Sequence, residues 1–282
     1  MLEFFNNWIV LAVLAGLFSN AFNFFNRYIL KDDADYLTYA WFYEALRIII
    51  FLCFLPFDRF IDFNLTTILW LLGYGLLEVA CIYTYMKMHA FSHLSISTIL
   101  SRTRIVWIPL IAFFFLSESL NLNQYLGIVV IFAGVSVAVA PHKLLLDKGA
   151  RFANIAAFLI ALETVVLKII VPMASATVIN IAMSVPSVLI FPIFMKNFRQ
   201  RISDFFKKNL LVKIVAVIAN VISSYLLVYA LQKGDVSRVM GIYQGMMIVS
   251  VLGGIIILKE KEDILRKILG TAITLIGVLL LT

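Results

Sequence analysis

"FSHLSISTILSRTRIVWIPLIAFFFLSE" (residues 91–118) lies without a gap on "KGDVSRVMGIYQGMMIVSVLGGIIILKE" (233–260), which puts Ser95 on Ser237, Arg102 on Gln244 and Glu118 on Glu260. After one extra residue, "YLGIVVIFAGVSVAV" (125–139) falls on "ILGTAITLIGVLLLT" (268–282), so that Gly127 meets Gly270 and Gly134 meets Gly277. Earlier in the chain, Arg27 meets Lys168. Two homologous halves follow from this, and a repeat of such length constrains the architecture before any short motif does.

The composition says what the halves are made of. Of 282 residues, 63% are hydrophobic and only 14% charged, which is the balance of an integral membrane protein and not of a soluble domain. A span of roughly 30 Å of hydrocarbon takes about 20 apolar residues. Ten such runs are expected, at 7–29, 36–56, 66–87, 94–116, 122–140, 152–171, 175–195, 210–231, 236–258 and 264–282. They read as helices, because an open sheet in lipid leaves edge groups unsatisfied and a barrel needs alternating segments of about ten residues. The fold class expected is an all-α membrane protein.

Basic residues collect in alternate loops. Arg27, Lys31, Lys143, Lys148, Arg151, Lys196, Arg199, Arg201, Lys207, Lys208, Lys259, Lys261, Arg266 and Lys267 gather on one side, against Arg59, Lys233 and Arg238 on the other. The positive-inside rule assigns the first side to the cytoplasm and both termini to the outside, with the plasma (inner) membrane as the expected location. The net charge of +7 therefore reflects membrane orientation; no basic patch interleaved with exposed aromatics is present to bind nucleic acid. Cys53 and Cys81 both sit inside apolar runs and form no CxxC pair, so neither a disulfide framework nor a zinc site is encoded.

Five spans is an odd number. Two five-span units, 1–142 and 143–282, must enter the membrane from opposite sides and form an inverted repeat, the architecture of transporters that work by alternating access around a midplane site. The repeat ends "FFFLSESLNLNQYLGIVVIFAGV" and "IILKEKEDILRKILGTAITLIGV", with "SHLSISTIL" and "GDVSRVMGIY" before them, resemble the two EamA-type repeats of the drug/metabolite transporter (DMT) superfamily. That resemblance implies a ten-helix basket around a central cavity and no particular substrate. The glycine landmarks are expected to permit close helix packing. One departure weakens a likeness to the small multidrug pumps, which use a glutamate in the first helix: here that helix offers Asn20, Asn23 and Asn26.

Six ionisable residues fall in the middle half of their spans: Glu44, Arg47, Glu78, Arg102, Arg104 and Glu163. An isolated charge there costs about 2.5–3.5 kcal/mol on insertion scales, so pairing or a shared aqueous cavity is expected. Glu44 and Arg47 are three apart and share a helical face, as a local pair or as a substrate contact or gate. The repeat register sets Glu78 opposite Asn220 and Arg102 opposite Gln244, which points to a cavity on the pseudo-two-fold axis; interhelical hydrogen bonding is the competing use.

Arg102 and Arg104 diverge by about 200° around a helix. The register selects Arg102 for substrate and leaves Arg104 to pair with an acid on a neighbouring helix. Glu163 reads as a lone carboxylate that either carries protons or pairs with Arg47 or Arg104. Candidate substrate-binding residues are thus Glu78, Arg102, Asn220, Gln244, Asn23 and Tyr243, and candidate coupling or gating residues are Glu163, Glu44, Arg47 and Arg104. Trp41, Tyr43, Trp70, Tyr74 and Trp107 are aromatic candidates for the cavity wall. His89 and His93 lack a third ligand, so no metal site and no cofactor are expected, nor is any catalytic motif present.

The function expected is secondary transport of a small polar metabolite by alternating access, coupled to protons or to exchange. A zwitterion such as an amino acid suits mixed acids and bases better than a simple cation does. The rivals are a cationic-drug exporter and a non-transport membrane assembly subunit. The expected partners are a small-molecule substrate and membrane lipids, with a homodimer as the candidate assembly.

Overall fold

The computed structural model describes residues 7–32, 35–91, 100–101, 103–117, 121–138, 148–207, 209–246, 248–259 and 263–281. These form α1 (Trp8–Asp32), α2 (Tyr36–Phe54), α3 (Leu65–Phe91), α4 (Arg104–Leu116), α5 (Leu122–Ala138) and α6 (Lys148–Ile170). The second part adds α7 (Ala176–Ile190), α8 (Phe198–Phe206), α9 (Leu210–Lys233), α10 (Val236–Gly245), α11 (Ile248–Ile256) and α12 (Ile264–Leu281), with a 3-10 turn, Phe191–Phe194, continuing α7. No strand occurs among the described residues beyond one antiparallel bridge, Ile61 with Ala174.

Among the described residues, six segments are long and apolar enough to cross a membrane: Trp8–Leu30, Tyr36–Phe54, Leu65–Phe91, Lys148–Ile170, Ala176–Phe194 and Leu210–Lys233. Their polarity is inverted relative to a soluble protein. Leu189 is 66% exposed and Leu69 57%, whereas Arg47 is 1% exposed and Glu44 0%. Large apolar side chains thus face outward to lipid and charges face inward, which is the arrangement that avoids stranding charge in hydrocarbon.

Several extensive helix pairings respect the repeat, whereas the packing of α3 on α7 has only a weaker counterpart in α9 on α2. α1 packs on α9 and α3 on α6; α4 packs on α6 and α10 on α1; α2 packs on α7 and α5 on α12. Exchanging the halves maps each pairing onto its partner or onto itself. The α5–α12 seam is built on the four landmark glycines. A Cβ on Gly277 would lie 2.7 Å from the Gly127 carbonyl oxygen, and one on Gly134 would lie 2.8 Å from that of Gly270. Only glycine admits backbones this close.

Two features differ from the sequence expectation. The span expected at 236–258 is interrupted: α10 ends at Gly245, Met246 lies in a turn, and α11 begins at Ile248. Gly241 and Gly245 give the helix little propensity to continue. In the first half Leu100 and Ser101 are helical, Thr103 is a turn, and α4 starts at Arg104. Tight i to i+3 bonds mark both breaks, Val106 N to Thr103 O at 2.9 Å and Val249 N to Met246 O at 3.2 Å. The second difference is α8, which forms in the stretch expected to be a basic loop. Its sequence "FRQRISDFF" spaces Phe198, Ile202 and Phe205 along one face, and Phe205 is buried against Phe42 with ring centroids 5.2 Å apart.

Candidate transport cavity

A cavity of about 120 Å³ lies among α1, α2, α3, α6, α9 and α10, with Arg104 of α4 and Met183 of α7 also on its wall. Both halves contribute, and four of the six charges that the sequence places at mid-span, Arg47, Glu78, Arg104 and Glu163, line it.

Arg47 is the hub. Its Nη1 donates to Tyr43 Oη at 3.1 Å and to Glu78 Oε1 at 3.3 Å. Its Nη2 donates to Asn180 Oδ1 at 2.6 Å and to Ser224 Oγ at 3.2 Å, and contacts Met183 Sδ at 3.0 Å. Glu44 Oε2 stands 3.7 Å from Nη1, so the i, i+3 pair exists, with Glu44 buried behind Arg47 and off the cavity wall. Tyr43 in turn donates to Asn220 Oδ1 at 2.7 Å. The guanidinium links α2, α3, α7 and α9, and thereby ties the two halves together. Removing one partner of such a buried pair is costly, whatever the net value of the pair itself.

Across from Arg47, Glu78 on α3 meets Glu163 on α6, with Cys81 one turn from Glu78. The carboxylate oxygens and the thiol sulfur lie within 4.8 Å of one another, all buried. Glu163 is therefore not solitary. Its Oε1 has no hydrogen-bond partner among the described residues. Three carboxylates (Glu44, Glu78, Glu163) surround one guanidinium, so with all of them ionised the cluster carries two negative charges in excess, to be balanced by protons or by a bound cation.

Two closures stand at opposite ends of α2 and α7. Asp35 caps the N-terminus of α2, accepting from Thr38 N at 3.2 Å and from Thr38 Oγ1 at 2.7 Å. It also accepts from Arg201 of α8, whose Nε lies 3.0 Å away. Burial pushes the Asp35 carboxyl up, but the bonds from Arg201 and Thr38 outweigh it and hold the group below the usual carboxylate range. At the other end Ser175 caps α7 and donates to Asp58 O at 2.9 Å. The Asp58 carboxylate accepts from Thr177 N at 3.0 Å and from Thr177 Oγ1 at 2.8 Å. In each case the start of a half's second helix is held by the segment that follows the other half's second helix.

The family model for the EamA-like transporter family matches residues 6–140 and again 147–282. The chain belongs to this family. No curated protein matches it. One solved crystal structure superposes with a TM-score of 0.64 at 15% identity, over 96% of this chain and 96% of its own, a likeness of fold alone. This EamA-like chain is accordingly a multi-pass integral membrane protein of a transporter family, with two copies of the family repeat.

In this EamA-like protein the fold brings Glu78, Asn220, Tyr243, Arg104 and Glu163 to the cavity wall, together with Arg47. Arg102 lies outside the described residues, as does His93. Arg104 does not meet an acid among the described residues. Its Nε donates to Gln244 Oε1 at 2.7 Å and its guanidinium stands 5.9 Å from the Tyr243 ring centroid. Arg104 thus stands beside Gln244, in a stretch where the turn at Thr103 interrupts the regular winding that the register assumes. Tyr243 donates to Ser19 Oγ at 2.7 Å. Asn23 accepts from Tyr85 and sits behind it, off the wall.

Of the five aromatic candidates, Tyr43 and Tyr74 line the cavity, joined by Phe22 and Tyr85. Trp41 donates to Val188 O at 3.2 Å, and Trp107 is 41% exposed against Phe158. Sequence reasoning missed Asn180, Ser223, Ser224 and Cys81, small polar groups in apolar runs whose only signal is that such residues on a span face its interior.

Proposed function

We propose that this EamA-like protein is a secondary transporter of a small zwitterionic metabolite, amino-acid-like in carrying an amine and a carboxylate. The observation that carries this reading is that one buried cavity presents opposite charges with bonding capacity left over. Among the described residues Arg104 has a partner for Nε only, which leaves its two terminal nitrogens for a carboxylate. Glu163 Oε1 has no partner and suits an ammonium group. Tyr43, Tyr74, Tyr85 and Tyr243 supply an aromatic wall with polar tips between them.

The spans are read as ten, in two inverted five-helix repeats divided near residues 142 and 143, in the plasma (inner) membrane. Alternating access fits the two closures: Asp35 with Arg201 seals one end and Asp58 with Thr177 the other, and transport requires them to open in turn. Glu163 is the proposed coupling residue, loading a proton or the substrate amine but not both. The Glu44–Arg47–Glu78 network holds the halves in register. Uptake of a labelled metabolite panel into proteoliposomes, with and without a pH gradient, tests the proposal. Accumulation of a zwitterion supports it, and failure of every compound to exceed protein-free vesicles returns the reading to a non-transport assembly subunit.

A further inference from the structure

By spacing alone the sequence offers neither a cysteine zinc motif nor a complete histidine site, yet the fold assembles a different donor set. Glu78 and Cys81 are one turn apart on α3, hence on the same face. The α3–α6 pairing brings Glu163 against them, and the three ligating atoms lie within 4.8 Å of one another. All three residues are more than nine-tenths buried, at 4%, 2% and 7% exposure for Glu78, Cys81 and Glu163. Among the described residues Glu163 Oε1 has no hydrogen-bond partner, and Arg47 engages one oxygen of Glu78.

We propose that Glu78, Cys81 and Glu163 form a binding site for a soft or borderline divalent cation, Zn²⁺ or Cd²⁺, on the wall of the cavity. Two carboxylates and one thiolate are a donor set for these ions, with a fourth tetrahedral position facing the cavity for water. Magnesium and calcium are disfavoured, since they require six or more oxygen ligands and gain nothing from sulfur. The local charge points the same way: three carboxylates and the Cys81 thiolate are balanced by Arg47, a dication and Arg104 on the same wall. As the metal–sulfur bond forms, the Cys81 thiol proton leaves to water, so binding releases a proton. The ion occupies the pole assigned above to the substrate amine and blocks it, but binding itself does not rest on the transport reading.

The test uses the full chain in detergent with Cys53, an exposed thiol, replaced by Ser so that Cys81 is the sole remaining cysteine. Titration with Cd²⁺, followed by the ultraviolet thiolate-to-metal charge-transfer band and by calorimetry, is expected to give one ion per chain, undisturbed by excess Mg²⁺. Adding Cys81→Ser removes the band, and Glu163→Gln weakens binding on the order of a hundredfold, the upper range for loss of even an outer-shell partner. Absence of the band in the Cys53→Ser chain overturns the proposal without recourse to any cavity variant. Calorimetric Cd²⁺ affinity unchanged by Cys81→Ser or by Glu163→Gln overturns it as well.

Discussion

Arg27 and Lys168 make the same contact in the two halves: Arg27 Nη1 donates to the His89 carbonyl at the end of α3 at 2.9 Å, and Lys168 Nζ donates to the Leu231 carbonyl at the end of α9 at 2.7 Å. Each cation leaves the first helix of its half and satisfies the C-terminal carbonyls of the third, which have no partners of their own within the helix and carry the negative end of its dipole. Arg27→Met and Lys168→Met should therefore destabilise the fold by similar amounts, about 1.5–3 kcal/mol each. Thermal unfolding of the two variants in detergent checks this, and a large loss in one with none in the other speaks against the shared role.

Gly277→Ala should destabilise by about 1–3 kcal/mol, as overpacking does. Its new methyl would stand 2.7 Å from the Gly127 carbonyl oxygen and 2.7 Å from the Ile131 nitrogen, backbone atoms that cannot rotate away. Gly73→Ala is the control: nothing lies within 4 Å of its Cβ position, and the variant should be neutral or slightly stabilising.

The ion pair of Asp35 with Arg201 should make stability fall in acid. The folded-state pKa of Asp35 is depressed, so its contribution is present above the ordinary carboxylate value of about 3.9 and disappears as pH falls through the lower folded-state value. The side chains are 25% and 30% exposed, which screens the pair and keeps its contribution modest at physiological salt. Melting temperatures of the wild type and Asp35→Asn should differ at neutral pH and converge in acid. Arg201→Gln should reproduce the neutral-pH loss.

Much of this was legible in the sequence, and what was not has a common cause. The landmark glycines align because a helix seam this close tolerates no side chain, so their spacing survives as a readable pattern. Glu44 and Arg47 could be paired by counting, since three residues make nearly one turn. Glu78 and Glu163 are 85 positions apart in the chain, and only the packing of α3 on α6 brings them together; the sequence leaves Glu163 as a solitary acid. The contact of Arg104 with Gln244 has a related origin, because register arithmetic assumes continuous helices and both fourth-span segments are interrupted. The helix α8 hid behind its charge, which marks a loop on a hydropathy scale and an amphipathic helix only when its phenylalanines are read by position.

Glu163→Gln should uncouple transport from the proton gradient. The amide keeps the volume and one acceptor but cannot carry a proton, so uptake in proteoliposomes should lose its response to a pH gradient while substrate exchange persists. Uptake by Glu163→Gln that still follows the gradient excludes this residue as the carrier.

Arg104→Gln should weaken apparent substrate affinity roughly 30-fold, equivalent to about 2 kcal/mol, by removing the fork offered to the carboxylate. Arg104→Lys should recover only part of this, because an ammonium lacks the two-pronged geometry. A dose–response series of counterflow rates measures both.

The most direct measurement is counterflow with three matched compounds: an amino-acid-like zwitterion that the wild type transports, its decarboxylated amine and its deaminated acid. A cavity that uses Arg104 for the carboxylate and Glu163 for the amine should move the zwitterion and neither truncated analogue. Equal transport of the amine would contradict the account and identify a cation exporter instead.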